Sequence, residues 1–274
     1  MRRLICLALL LCICTTAMAE MPEWTYPVSL ESLTSGYVVL ANKDVLLGKD
    51  YVPDDLVKLT CKKTSGTAIE MRQAASDAMN RMFEDAKQEN IILYVHSGYR
   101  SYQTQKTMYY NRLEKNNGRD DGLVQAAGAS DHQTGLGADV IGKAWIGKSF
   151  NGKFADCKEG QWMAEHCWDY GFIIRYQEDK EELTGIEFEP WHLRYVGEEA
   201  SLYMRENHLC LEEFTEEWQA ALTEWESRGG VTDAYIREQA VRREQERIAE
   251  NGPDGEVGLG IYGEDGDEEV YLFH

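Results

Sequence analysis

"GASDHQTGLGADV", residues 128–140, sets Ser130, His132 and Asp139 in one short stretch that also holds three glycines. A run this poor in large side chains does not fill a core, so it is either a plain turn or a place where polar atoms converge. Further along, "FEPWHLRYV" (188–196) carries Glu189 and His192 beside Trp191 and Tyr195. Alone, a strand histidine next to a tryptophan reads as a core residue. Together the two stretches hold what a hydrolytic zinc site asks for: three ligands from histidine and carboxylate, an open position for water, and a further carboxylate to take the water's proton. His132, Asp139 and His192 can be the ligands and Glu189 the base. Of the other histidines, His96 ends a β-rich run and reads as a packing residue, His166 and His208 lie in polar helical segments, and His274 is terminal.

The flanking sequence supplies the frame. Between Thr67 and Asn90, apolar residues fall at Met71, Ala75, Ala78, Met79, Met82, Phe83 and Ala86, a spacing that predicts a helix with one face packed on a sheet. Ile91 to Val95 reads as a strand that stops at Ser97-Gly98, and Ser101 as the N-cap of a helix running to about Lys115. "GQWMAEHCWDYG" (160–171) reads as a helix ending at Gly171. "FIIRY" (172–176) and "GIEFEPWHLRYVG" (185–197) read as strands, separated by the polar "QEDKEELT" of a hairpin or loop. "YVVLANKDVLLGKDYVPDDLVKL" (37–59) predicts a short strand and then an extended segment with Pro53 that wraps an edge of the domain. Beyond Gly197 the helical segments are charge-rich, at 198–208 and 232–250. The expected fold is α+β: a single domain whose largely antiparallel sheet is flanked by helices, with a helical acidic C-terminal extension. Residues 20–60 are expected to form its wrapping segment, 61–211 the core that carries the zinc-site residues and 212–274 the extension.

Three motifs carry a family resemblance. "SDHQTGLGAD" resembles the Ser-x-His-x-x-Gly-x-Ala-x-Asp signature of the zinc D-alanyl-D-alanine carboxypeptidases of the VanY type, in the M15 peptidase group, to which LdcB-type L,D-carboxypeptidases are related. "EPWHLRYVG" is similar to that family's second zinc motif, and "SGYRS" (97–101) with Gln105 to its substrate-binding segment. "ANKDVLLGKDYVPDDLV" (41–57) resembles its N-terminal stretch, so the likeness spans roughly residues 35–212. One departure is Gly137, which stands where the signature has Ala; Asp131 replaces a common Glu.

The resemblance implies a hedgehog/D,D-peptidase-like fold and one zinc ion on His132, Asp139 and His192, with Glu189 as general base. It implies that Arg100 meets the substrate's terminal carboxylate or the developing oxyanion, and that Gln105 and Ser130 contact substrate. From the residues alone, Arg100 can instead anchor the strand end through a salt bridge, Gln105 can be a polar residue on an exposed helix face, and Ser130 can simply form the turn. Trp191 and Tyr99 read as packing residues. The implied reaction removes the terminal D-Ala of a peptidoglycan stem peptide or its precursor. The alternatives are an L,D-carboxypeptidase trimming tetrapeptides and a non-catalytic cell-wall peptide-binding module, which would have no need of Glu189.

Composition narrows the setting. "MRRLICLALLLCICTTAMA" (1–19) pairs two arginines with a short apolar run and ends on a small-x-small pattern, the form of a secretory signal cleaved after Ala19. The run is shorter than the roughly 20 apolar residues of a membrane span, so the mature chain is expected to be extracytoplasmic with no transmembrane segment. The formal charge of −20 becomes −22 without Arg2 and Arg3, which argues against nucleic acid as a partner. Residues 211–274 hold 18 acidic residues against 5 basic, concentrating that charge at the C-terminal end. Four cysteines remain past the signal, an even number that in an exported chain favours disulfides, with Cys157–Cys167 and Cys61–Cys210 as the expected pairs. Oligomeric state has no sequence signal.

Overall fold

The structure is a computed structural model that describes residues 21–251 apart from Asp121 and Leu123. The expected signal segment 1–19, the acidic stretch after Asn251 and His274 lie outside the described residues. In chain order the elements are α1 (Leu30–Thr34), β1 (Leu56–Lys58), β2 (Glu70–Arg72), α2 (Gln73–Gln88), β3 (Leu93–Ser97), α3 (Tyr102–Lys115), β4 (Gly137–Gly142), α4 (Lys158–His166), β5 (Phe172–Ile174), α5 (Glu181–Thr184), β6 (His192–Tyr195), α6 (Glu198–Asn207), α7 (Leu211–Ser227) and α8 (Thr232–Asn251).

Four strands form one antiparallel sheet in the order β3-β4-β6-β5, and β1 and β2 pair as a separate two-stranded ribbon. Alternation along the strands divides the core in two. Phe172 and Ile174 of β5 join Leu93, Val95 and Val140 in a cluster with the buried face of α2 and with Trp162 and Met163 of α4. Ile173, one residue out of phase, joins Val196 in a second cluster with Leu33, Ala200, Met204, Leu211 and Phe214, contributed by α1, α6 and α7. Helices thus cover the sheet as expected.

The apolar stripe of α2 is buried at each position read from its spacing, but the helix begins at Gln73 rather than near Thr67. Met71 reaches the core from β2, because residues 70–72 are held extended by pairing with 56–58. The Ser101 side chain accepts from the Thr104 amide and opens α3. Between β5 and β6 the polar loop contains a turn of 3₁₀ helix and the short α5. Residues 37–40 form no strand; Val38 packs into the second cluster while the Tyr37 and Val39 carbonyls accept from Arg194.

Two expectations are corrected. All four cysteines are free. Cys157 and Cys167 stand at opposite ends of α4, about 15 Å apart at 1.5 Å per residue, whereas a disulfide needs Cα atoms within roughly 7 Å. Cys61 packs against the first cluster, while Cys210 opens α7, whose Leu211 and Phe214 belong to the second. The compact unit also runs on to Gly230, past the boundary expected at 211, because α7 buries Leu211, Phe214, Thr215 and Trp225. Among the described residues, Val231–Asn251 belong to a separate unit. Among the described residues, no helix is long and apolar enough to cross a membrane.

Candidate metal centre

Strand register brings the site together. Asp139 on β4 stands opposite His192 on β6 and opposite Ser97 on β3, and cross-strand partners lie on the same face of a sheet. His132 comes from the turn before β4, a 3₁₀ segment Asp131–Thr134 that ends on Gly135 in the left-handed region at φ 70°. Glycine adopts that conformation without strain. Gly137 is explained by space rather than by conformational freedom: a Cβ there would sit 3.1 Å from the carbonyl carbon of Asp131 and 3.2 Å from its Cβ. The departure from Ala at this position gives clearance to a fully buried carboxylate.

One ligand atom from each of His132, Asp139 and His192 lies within 4.8 Å of the others, and all three residues are buried. His132 Nε2 is 3.5 Å from Asp139 Oδ2, and His192 Nδ1 is 3.4 Å from Asp139 Oδ1. The His132 Nδ1 lies 2.7 Å from the Gly98 carbonyl oxygen. A carbonyl only accepts, so Nδ1 carries the hydrogen and Nε2 offers its lone pair to the centre. That Nε2 is buried with no hydrogen-bond partner.

The charges at the centre are set by burial and by the neighbouring groups. Burial, together with the Arg100 charge, pushes the His132 imidazole down to about 4, which keeps it neutral. Burial opposes ionisation of Asp139, but the two histidines outweigh it and hold its carboxyl well below the usual range. Burial would also lower His192, yet its hydrogen bonds to Asp139 and Glu189 carry it up to about 9. Glu189 precedes β6 and sets Oε2 3.3 Å from His192 Nδ1. Burial raises its carboxyl above the ordinary range despite the opposing pull of His192.

Arg100 donates its backbone amide to the His132 carbonyl at 3.0 Å. No carboxylate among the described residues forms a salt bridge with its guanidinium; Nη1 reaches only Met108 Sδ at 3.5 Å and Nε is buried without a partner. Its charge nevertheless acts on His132, Asp139 and Glu189. Gln105, instead of lying on an exposed helix face, is the buried residue of α3. Its Nε2 donates to the Gln125 carbonyl at 2.7 Å, while its Oε1 is buried and unpaired. Ser130 is buried ahead of the 3₁₀ turn and its side chain caps nothing. Trp191 and Phe150 pack at 5.6 Å between ring centroids.

Three features escaped the sequence reading. Tyr176 is buried with its ring 5.0 Å from that of His192, and its hydroxyl accepts from Gln125 Nε2 at 2.9 Å. Asp131 is fully buried between Arg175 and Arg194. Glu212 closes the same network through Arg175. The apolar context of "FIIRY" and "HLRYV" was the available signal, since an arginine inside a buried strand requires an acid.

Two imidazole nitrogens and a carboxylate oxygen with a second carboxylate, that of Glu189, alongside form a donor set suited to zinc and to metal-assisted hydrolysis. Residues 68–198 match the family described as VanY: D-alanyl-D-alanine carboxypeptidase. The chain is 39% identical over 183 residues to a putative carboxypeptidase, YodJ, of Bacillus subtilis, an alignment covering 65% of this chain and 67% of the relative. Among solved structures it is similar to the LdcB LD-carboxypeptidase, with TM-score 0.61 and 39% identity over 65% of this chain and 84% of that one. It is also similar to a mutant of the vancomycin-resistance D,D-pentapeptidase VanY in complex with Zn(II), with TM-score 0.55 and 27% identity over 66% of this chain and 99% of that one.

Proposed function

The chain belongs to the VanY family of D-alanyl-D-alanine carboxypeptidases, and on that premise we propose that His132, Asp139 and His192 hold one zinc ion at which a peptidoglycan stem peptide or its precursor is hydrolysed. The protein is a carboxypeptidase, and its first-choice cut releases the terminal D-Ala from a D-Ala-D-Ala end. The observation that carries the metal is the convergence of three buried ligand atoms within 4.8 Å, one of them a histidine nitrogen with no partner in the protein. When bound, zinc lowers the pKa of water from 15.7 to roughly 7 and polarises a carbonyl.

The chain's own residues do the rest. Glu189, raised by burial, takes the proton from the attacking water and delivers it to the leaving amine. Arg100, with no acid of its own among the described residues, binds the substrate's terminal carboxylate or steadies the oxyanion. The unpaired Gln105 Oε1 and the Ser130 hydroxyl face the substrate's amide groups. Trp191 walls the site. The segment 1–19 directs the chain to the extracytoplasmic side, where such peptides are found.

A second reading, an L,D-carboxypeptidase acting on tetrapeptides, is favoured by the higher TM-score and identity to LdcB than to VanY. Purified protein incubated with pentapeptide and tetrapeptide muropeptides separates the two. Release of D-Ala from the pentapeptide is expected, and release from the tetrapeptide alone would replace the first reading by the second. Metal analysis of the same sample is expected to give one zinc per chain.

A further inference from the structure

We propose that Glu212, at the start of α7, is a positioning residue for the metal centre, acting through Arg175 and Asp131 on His132. The inference rests on the zinc reading of that centre.

The connection is continuous. Both oxygens of Glu212 accept from Arg175, from Nη1 at 2.8 Å and Nη2 at 2.6 Å, and the third face of the same guanidinium donates from Nε to Asp131 Oδ2 at 2.6 Å. Arg194 Nη1 donates to the other oxygen of Asp131. Asp131 is joined to His132 by one peptide bond, inside a 3₁₀ turn locked by the Thr134 hydroxyl on the Asp131 carbonyl at 2.5 Å. The second histidine is held by the same residues. The Arg175 amide donates to the His192 carbonyl at 3.1 Å, and Arg194 follows His192 by two positions on β6.

The network is also complete. Asn42 Nδ2 donates to Glu212 Oε1 at 3.1 Å, and Arg194 Nη2 is taken up by the Tyr37 and Val39 carbonyls. Two guanidiniums and two carboxylates give a formally neutral set with all four side chains largely or wholly buried. Without Glu212, Arg175 keeps one acid and loses the bidentate clamp that fixes its plane. The Asp131 carboxylate, and the turn that aims His132, are then free to shift. Groups that orient a metal's ligands change affinity for the metal by roughly 10- to 100-fold when removed. Glu212 lies beyond residues 68–198 that match the family, so the site described by the family motifs is completed by a side chain outside them.

Zinc affinity, measured on the purified full chain by competition with a chelator, tests this alongside kcat and KM. Glu212→Gln is expected to weaken zinc about 10- to 100-fold and to lower kcat with KM little changed, and Glu212→Asp to restore part of both. Glu213→Gln is the control. Glu213 caps α7 through the Cys210 amide at 2.9 Å and pairs with Lys180, so its loss should lower thermal stability and leave zinc affinity alone. Should Glu212→Gln fail to fold, Asn42→Ala loosens the same carboxylate and is expected to weaken zinc by a smaller factor. Wild-type zinc affinity in folded Glu212→Gln or in Asn42→Ala, or equal weakening in Glu213→Gln, overturns the inference while leaving the zinc site standing. A wild-type chain that binds no zinc overturns both.

Discussion

Two clusters of buried charge meet at the Asp131–His132 peptide bond, and they are built on opposite rules. In one, Asp131, Arg175, Arg194 and Glu212 satisfy each other and the surrounding carbonyls. In the other, His132 Nε2, His192 Nε2, Arg100 Nε and Gln105 Oε1 are buried with no partner. Leaving a polar atom unpaired in the interior costs on the order of 1–3 kcal/mol, and buried polar groups are overwhelmingly paired. Tyr26, Gln133, Trp162 and Trp218 also keep an unpaired buried atom, so it is the grouping of orphans on and around the three ligand residues, beside a network with none, that points to something from outside. On the proposed function, the satisfied cluster belongs to the scaffold and the unsatisfied one to the chemistry.

The sharpest separation comes from Glu189→Gln. Loss of a general base typically costs about 10²–10⁴ in rate, so kcat should fall by that order while zinc content and thermal stability stay near wild type. Loss of zinc would make Glu189 a ligand, and undiminished activity would falsify its role as base. The wild-type pH profile is an independent check. Only the deprotonated carboxylate accepts a proton, and burial raises the Glu189 pKa. The acid limb of kcat/KM should therefore fall off at a pH above the ordinary carboxylate range.

Asp131→Asn probes the opposite cluster. Removing one partner of a buried ion pair costs about 3–5 kcal/mol, which for a unit of this size lowers the melting temperature by roughly 6–20 °C. Burial opposes ionisation of Asp131, but Arg194 and Arg175 outweigh it and hold its pKa below the usual value. A lowered folded-state pKa stabilises above the unfolded pKa, and that stability is lost as pH falls through the folded one. Wild-type stability should thus drop steeply in strong acid, and Asp131→Asn should drop less. A melting temperature unchanged at neutral pH would remove the distinction between the clusters.

The sequence made these two regions unequally legible, for physical reasons. The unsatisfied cluster announces itself through residue types rarely set together, "DHQTGLGAD" and "EPWH", and antiparallel register then places Asp139 opposite His192. The stripe of α2 and the cap at Ser101 were readable because each is a local pattern. The satisfied cluster is not local. Arg175 and Arg194 sit in apolar strand patterns that call for an acid without saying which one, and Glu212 is one acid among many in a charge-rich segment. The 17-residue α7 was hidden by the same acidity and placed in an extension, although Phe214 and Trp225 are buried. The disulfide expectation failed because an even cysteine count carries no geometry, whereas α4 holds two of the four apart.

The smallest effect tests the comparison where it is most exposed, at Arg100. The strand-end salt bridge weighed for it is absent among the described residues, so its guanidinium belongs with the unsatisfied groups. Arg100→Lys keeps the charge and loses the planar fork. A hydrogen bond to a charged group is worth about 1.5–3 kcal/mol, so kcat/KM on a substrate with a free terminal carboxylate should fall roughly 10- to 100-fold. An amidated substrate, which has no carboxylate to lose, should be cut poorly and equally by both proteins. Thermal stability should not move, because no acid is left behind. A lowered melting temperature with both substrates affected alike would transfer Arg100 to the scaffold, and burial without a partner would then no longer suffice to assign a side chain to the chemistry.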